Sequence, residues 1–226
     1  GGTAWGVGRR DDLDAGEHVL VFDGVNDAAA TTATGVVDAS RNWSVAAWLK
    51  VAPRRGRQVA VSLDSGTRSG MSLGVESFDT PDPEDPESVE RNYRFVAEVW
   101  DPKGGDAGTG AFVTLRGSGL GGDQLAGWFH VTVSYTASSR QVNLWAHEYL
   151  AFEEVVESWD ALDSDSAELS ATPSAFSGVL RLGRETVAGA TASPWAGLVD
   201  EVQVFRGAFT EDFSASTYFK RMRDLR

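Results

Sequence analysis

Hydrophobic and polar residues alternate in short runs along most of this chain. The runs end at Gly, Pro, Asp or Ser, which is the punctuation of strands. The pattern predicts strands at 18–23, 43–51, 57–63, 70–76, 92–100, 110–116, 128–136, 140–147, 149–156, 178–184 and 197–205. Residues 128–135 alternate cleanly, with Phe129, Val131, Val133 and Tyr135 on one side and Trp128, His130, Thr132 and Ser134 on the other. Ala137-Ser138-Ser139 then makes a short hairpin loop, so 128–147 reads as an antiparallel pair. One helix is predicted, at 210–223, where Thr210 caps a segment that ends in Lys220, Arg221 and Arg223. Together these elements predict an all-β fold, a two-sheet antiparallel sandwich with one short C-terminal helix.

The run 197–205 carries one awkward residue. Strict alternation puts Leu198, Asp200, Val202 and Val204 on one face, so a carboxylate is aligned with valines. A buried carboxylate is costly without a cation or several hydrogen-bond donors. Asp200 is therefore expected to be either a metal ligand or a structural hydrogen-bond hub.

Two segments leave the rhythm. Residues 79–90 hold three prolines and six acids, a composition expected to form a solvated loop and not a ladder. Residues 157–177 carry Asp160, Asp163, Asp165 and Glu168 among Ser and Ala and read the same way. Either could also be a calcium-binding or partner-binding loop. Asp163-Ser164-Asp165 lacks the glycine and closing Glu of a helix–loop–helix calcium site. No internal repeat is present.

Composition narrows the function classes. A hydrophobic content of 42% with eight Trp and eleven Phe is ample for a core in a chain of 226 residues. The net charge of −13 argues against nucleic acid as a partner. The basic run Pro53-Arg54-Arg55-Gly56-Arg57 reads as a local hairpin tip. Cysteine is absent, which removes disulfides, thiol catalysis and Cys-ligated zinc. No apolar run reaches the roughly 18 residues of a membrane span, so membrane insertion is not expected. Three Lys against seventeen Arg suggest a GC-rich genome.

Three pieces in order resemble the laminin G-like, concanavalin A-like superfamily as found in bacterial extracellular proteins. Val21-Phe22-Asp23-Gly24-Val25-Asn26-Asp27 is similar to its early "FDG-x-x-D" strand and turn. Trp43-Ser44-Val45-Ala46-Ala47-Trp48-Leu49-Lys50 is similar to its "W/F-S/T-V-x-x-W-V-K" strand. The runs 127–135 and 197–209 resemble "W-x-H-V-A-V-T-Y" and "G-x-I-D-E-V-R-I-Y-x-R-A-L". The resemblance implies a jelly roll of two curved antiparallel sheets over 17–226, with 1–16 a linker or remnant of an upstream segment. Gly1-Gly2-Thr3-Ala4-Trp5-Gly6-Val7-Gly8-Arg9 resembles a segment that usually lies inside such domains. The chain is thus expected to be part of a longer polypeptide, extracellular or at the cell surface, with its export signal elsewhere. The resemblance further implies a structural calcium held by Asp200 together with the turn from Asp23 to Asp27. The alternative at Asp200, hydrogen bonds without metal, stays open.

Candidate chemistry beyond that is sparse. Glycosidases of this fold place acids at alternate strand positions, and no such triplet occurs here. His18, His130 and His147 have no metal-ligand or triad spacing. Catalysis is accordingly not expected, and glycosidase activity is a distant alternative. Sugar stacking needs exposed aromatics beside polar groups, and Trp100, Trp145 and Trp159 have such neighbours. Trp43, Trp48, Trp128 and Trp195 are expected to pack the sandwich. The expected function is a non-catalytic recognition or assembly module of a larger exported bacterial protein, with a structural or protein-interaction role in a multidomain adhesin, toxin or wall-associated assembly. The alternative is a calcium-dependent or calcium-stabilised lectin module binding a glycan or cell-surface polymer. The acidic insertions lean toward the first, because they would decorate or block a flat lectin face.

Overall fold

The computed structural model describes residues 4–7, 18–82, 85, 87–105, 108–122, 124–148, 163–173 and 176–211. The expected strand 149–156, residues 212–223 of the expected helix, and Trp159 lie outside the described residues. The strands are β1 (Ala4–Val7), β2 (His18–Asp23), β3 (Ala29–Thr34), β4 (Trp43–Val51), β5 (Arg57–Ser65), β6 (Arg68–Pro81), β7 (Val89–Asp101), β8 (Ala111–Arg116), β9 (Leu120–Gly121), β10 (Phe129–Thr136), β11 (Gln141–Glu148), β12 (Asp163–Glu168), β13 (Val179–Leu182), β14 (Glu185–Val187), β15 (Ala190–Ala192) and β16 (Ala196–Phe205). They form a jelly-roll sandwich of two antiparallel sheets. The first sheet runs β1-β2-β16-β4-β10-β11-β12 and the second β3-β13-β5-β6-β7-β8, with β9 on β7 and β14–β15 a separate hairpin. Residues 4–7, expected in a linker or remnant of an upstream segment, pair with β2 at the edge of the first sheet. Among the described residues no helix is long and apolar enough to cross a membrane.

The alternation read in β10 holds. Phe129, Val131, Val133 and Tyr135 belong to the main core, with Val45, Ala47 and Leu49 from β4 and Phe95, Ala97 and Val99 from β7. Phe129 meets Phe95 across the sandwich at 5.0 Å between ring centres. Trp43 packs on Tyr135 and Phe176 at 5.8 and 5.6 Å. Each such side chain contributes about 1.5–3 kcal/mol when fully buried. The outer face of the first sheet is apolar as well: Trp48, Trp128 and Val19 form a second buried cluster, with Val21 and Leu198 packed against it. His130 lies on Trp48 at 5.2 Å, which fits a packing histidine.

A bulge changes the reading of Asp200. Asp200 pairs with Trp48 and Gln203 with Ala46, so β16 places one extra residue opposite β4. Glu201 absorbs the bend with φ 45°. One inserted residue swaps the two faces of a strand. Val202 and Val204 pack against the main core, whereas Leu198 and Asp200 take the outer face, opposite Lys50 and Trp48. The expected alignment of Asp200 with the two valines is thus corrected. Asp200 is half-buried, and its Oδ1 accepts the Glu201 N–H at 2.8 Å.

The described parts of both acidic segments are more ordered than expected. The hairpin of β6 and β7 runs on through Asp79↔Arg91, Thr80↔Glu90 and Pro81↔Val89. Arg91 meets Asp79 at 3.0 Å, and Pro81 takes the last position of its strand, where a missing N–H does least harm. Residues 163–168 form an edge strand against β11. Its aspartates reach the facing edge of the second sheet: Asp165 accepts the Arg116 N–H at 2.7 Å and Asp163 the Ser118 N–H at 2.6 Å. Asp101, buried at the end of β7, accepts the Ser170 N–H at 2.5 Å and hydroxyl at 2.6 Å. Carboxylates thereby supply acceptors that an open strand edge lacks.

Candidate functional site

The turn after β2 is a cage of local hydrogen bonds. Asp23 Oδ1 accepts the N–H groups of Val25 and Asn26 at 2.7 and 3.2 Å, and Asp27 Oδ2 accepts that of Asp23 at 2.9 Å. The Val25 N–H, the largest influence, holds the Asp23 carboxyl below its ordinary value; slight burial acts the other way. The carbonyls of this turn are already taken by arginine. Arg54 donates to the Gly24 oxygen, and Arg184 donates to the Val25 and Asp27 oxygens and to Thr191 Oγ1. Gly24 has φ 72°, and a Cβ there would lie 2.0 Å from the Arg54 guanidinium.

These residues do not fit a calcium ion. Two guanidinium groups stand where a cation would draw on the carbonyls. Asp23 pairs with Ala196, and Asp200 is four residues further along β16, about 13 Å away at ~3.3 Å per residue. The turn and Asp200 are therefore not brought together. Among the described residues no three His, Cys, Asp or Glu side chains converge on one point.

The tryptophans do not form a shared platform either. Trp100 is on the second sheet, with the Arg68 guanidinium 3.9 Å from its ring centre and Phe112 edge-on at 5.1 Å. One face of its indole is covered. Trp145, on the first sheet, is only 8% exposed and so is no open stacking surface.

Around Trp100, the outer face of the second sheet is an ionic lattice. Arg57 meets Glu98 at 3.0 Å, Glu185 at 3.2 Å and Ser72 Oγ at 2.8 Å. Glu76 meets Arg94 at 2.6 Å and Arg116 at 2.8 Å. Burial raises the Glu98 carboxyl, with Arg57 opposing and Glu185 adding to the rise. These acids come from different strands, so a search for alternating acids within one strand could not find them. Each is held by an arginine, which makes the lattice a structural brace.

A cleft of about 830 Å³ opens at one end of the sandwich. Its walls are the β3–β4 loop from Gly35 to Asn42, Trp43, the β10–β11 turn at Ala137 and Ser138, and Phe205 and Arg206 at the end of β16. The loop is anchored. Val37 and Ala39 are buried in the core, and Asn42 Oδ1 accepts the Ala137 N–H at 2.9 Å. Asp38 Oδ1 accepts the Ser40 N–H at 3.1 Å and hydroxyl at 2.6 Å, while its Oδ2 meets Arg41 Nε at 3.1 Å. The Ser40 hydroxyl and N–H hold the Asp38 carboxyl low, with Arg41 assisting. On the other wall, the Phe209 N–H donates to Ser44 Oγ at 3.0 Å and Ser134 Oγ at 2.8 Å, which fixes the chain just past Arg206. The volume lies within the range of small-ligand sites, and an aromatic wall with a few amide, hydroxyl and guanidinium groups is their usual lining.

Sequence reasoning missed this cleft because its lining comes from three separate loops and has no periodicity. Its one local signal was the turn-forming run Asp38-Ala39-Ser40-Arg41-Asn42 just before the Trp43 strand.

No protein-family model and no curated protein matches the sequence. Solved structures do share its fold. The CBM40 domain of the Ruminococcus gnavus IT-sialidase, bound to α2,3-sialyllactose, superposes with a TM-score of 0.51 at 13% identity, over 78% of this chain and 82% of that one. The SAP-like pentraxin of Limulus polyphemus gives 0.52 at 14% identity, over 87% and 79%. The enzymatically active domain of tailspike protein 2 from bacteriophage CBA120 gives 0.51 at 15%, over 89% of this chain and 27% of that one. At these identities the likeness is one of fold, the concanavalin A-like sandwich.

Proposed function

We propose that this chain is a non-catalytic recognition module of an exported protein and that it binds an oligosaccharide in the cleft at the β3–β4 end. The observation that carries the proposal is the cleft itself: about 830 Å³, with the half-buried Phe205 as its apolar wall, the buried Trp43 beneath it, and Ser40, Asn42 and Ser138 beside them. Sugars need this combination, an apolar surface for the ring face and donors and acceptors for the hydroxyls. The lean toward a structural or protein-interaction role assumed that the acidic insertions decorate or block a lectin face. They instead lengthen the β6–β7 hairpin and close a sheet edge. The CBM40 structure has an oligosaccharide bound, which supports the reading by analogy of fold.

A laminin G-like relationship is part of this proposal. The strands whose motifs carry that resemblance, β2, β16, β4 and β10, are consecutive neighbours in the first sheet. Motifs scattered over the sequence thus describe one continuous surface.

The test is binding of a glycan panel to the wild type, to Ser138→Trp, which fills the cleft from its exposed turn, and to Trp100→Ala. Binding that Ser138→Trp abolishes and Trp100→Ala leaves intact supports the cleft; the reverse pattern overturns it. One observation favours a protein partner instead: Val89 is 63% exposed near the tip of the β6–β7 hairpin. A silent panel, together with a co-purifying protein that Val89→Asp releases, would replace the glycan reading.

A further inference from the structure

We infer that the cleft selects an acidic saccharide, one bearing a carboxylate, and that Arg206 is the residue that reads the charge. The inference rests on the cleft being the binding site. Among the described residues arginine is almost always spoken for. Arg55, Arg57, Arg91, Arg94, Arg116, Arg140 and Arg181 each pair with an acid. Arg54 and Arg184 hold carbonyls, and Arg68 lies on Trp100. Arg206 is the exception among the described arginines. It is exposed at the lip of the cleft and has no hydrogen bond, ion pair or ring contact.

The opposite lip reinforces the charge. Among the described residues Asp38 is the one acid in the lining, and its oxygens already accept from Ser40 and Arg41. Arg41 uses its Nε for that contact, and its side chain is 83% exposed. Among its described lining residues the cleft therefore carries two arginines against one aspartate, a net +1 (2 − 1), in a chain whose net charge is −13. A local positive site against so acidic a background is not what a neutral sugar requires, since Asn42, Ser40 and Ser138 suffice for hydroxyls. A guanidinium matches a carboxylate with two parallel N–H···O bonds, a geometry that an ammonium cannot reproduce. Position matters too. Phe205 stands next to Arg206 in the same wall, so a sugar ring resting there would bring its carboxylate to the guanidinium.

The experiment measures affinity for matched probes by calorimetry: galacturonic acid trimers against galactose trimers, and sialyllactose against lactose. The wild type is expected to bind the acidic member of a pair at least about tenfold more tightly, as a charged hydrogen-bonded contact allows. Arg206→Ala should remove that preference, lowering affinity for the acidic member of each pair more than for the neutral one. Arg206→Lys should restore it only in part, because the fork is lost. Circular dichroism of each variant checks that the sandwich is intact. Equal affinity for both members of every pair, abolished alike by Ser138→Trp, overturns the acidic preference and leaves the binding module standing. A preference that survives Arg206→Ala overturns the role of Arg206. Binding of no probe by the wild type overturns both the preference and the cleft.

Discussion

Asp163 is the sharpest place to test how this sandwich is closed. It opens β12, is 2% exposed, and its Oδ1 accepts the Ser118 N–H at 2.6 Å and hydroxyl at 3.2 Å. Its Oδ2 is buried without a partner. A Cβ on Gly117 would lie 1.8 Å from that oxygen, so only glycine lets the loop come this close. Burial raises the Asp163 carboxyl; the Ser118 donors oppose the rise and the nearby Asp165 charge adds to it. An acid with a raised folded pKa is destabilising when ionised. Its penalty is complete above the folded value and disappears as pH falls below the unfolded value. Asp163→Asn keeps an acceptor for Ser118 and removes the charge. It is expected to melt at or above the wild-type temperature at pH 7.5, with any gain fading toward pH 4. Asp163→Ala strands the Ser118 N–H at a cost of about 1–3 kcal/mol. At about 2–4 °C per kcal/mol for a domain of this size, the midpoint should fall by about 2–12 °C. Thermal melts followed by circular dichroism at both pH values measure this. If Asn proves as damaging as Ala, or Ala costs nothing, the clasp is not what holds β12 to the second sheet.

Three further outcomes follow from other contacts. Arg184→Ala should lower stability by about 1–3 kcal/mol by leaving the Val25 and Asp27 carbonyls without their donor, and neither EDTA nor millimolar calcium should move the wild-type midpoint; a wild-type shift with EDTA would falsify the arginine-held turn. At Asp101, burial alone would raise the carboxyl, but the Ser170 and Lys103 donors outweigh it and hold it low. Its stabilisation is thus present above the unfolded value and lost as pH falls through the folded one, so Asp101→Asn should be less stable than wild type in urea at pH 7 and converge with it near pH 3. Burial depresses the His147 imidazole, with Glu211 pulling the other way, so the wild type should lose stability as pH falls below about 6.5. His147→Gln should flatten that decline; identical slopes between pH 6.5 and 5 would count against a buried neutral imidazole.

Much of the fold was legible in the sequence because its central strands alternate large apolar with small or polar residues. Trp43–Val51 was located to the residue, and β10 was read with the correct faces. Two of the strands that escaped notice have side chains that carry no such signal. Ala29–Thr34 is made of Ala and Thr alone, and Asp163–Glu168 of acids, Ser and Ala. Both lie at sheet edges, where pairing comes from a neighbouring strand already in place and half the backbone faces outward. Residues 79–90 were misjudged for a related reason: proline and acid content describe a segment in isolation, whereas Asp79 and Pro81 are laddered by an established hairpin.

The candidate site was far less legible. Asp200 was singled out as an awkward carboxylate, but its face depends on a bulge at Glu201 that only the pairing of β16 with β4 reveals. Arg54 looked like part of a hairpin tip, and its role came from a turn 30 residues away. The sequence by itself determined the class of fold, the motif strands and the absence of cysteine chemistry, because these follow from local periodicity and residue type. Only the tertiary structure decided that the early turn is held by arginines, that one acidic segment extends a hairpin while the other closes a sheet edge, and that Trp43, Phe205 and Arg206 share one cleft. Those facts are set by contacts between residues far apart in the chain, and such contacts leave no period to read.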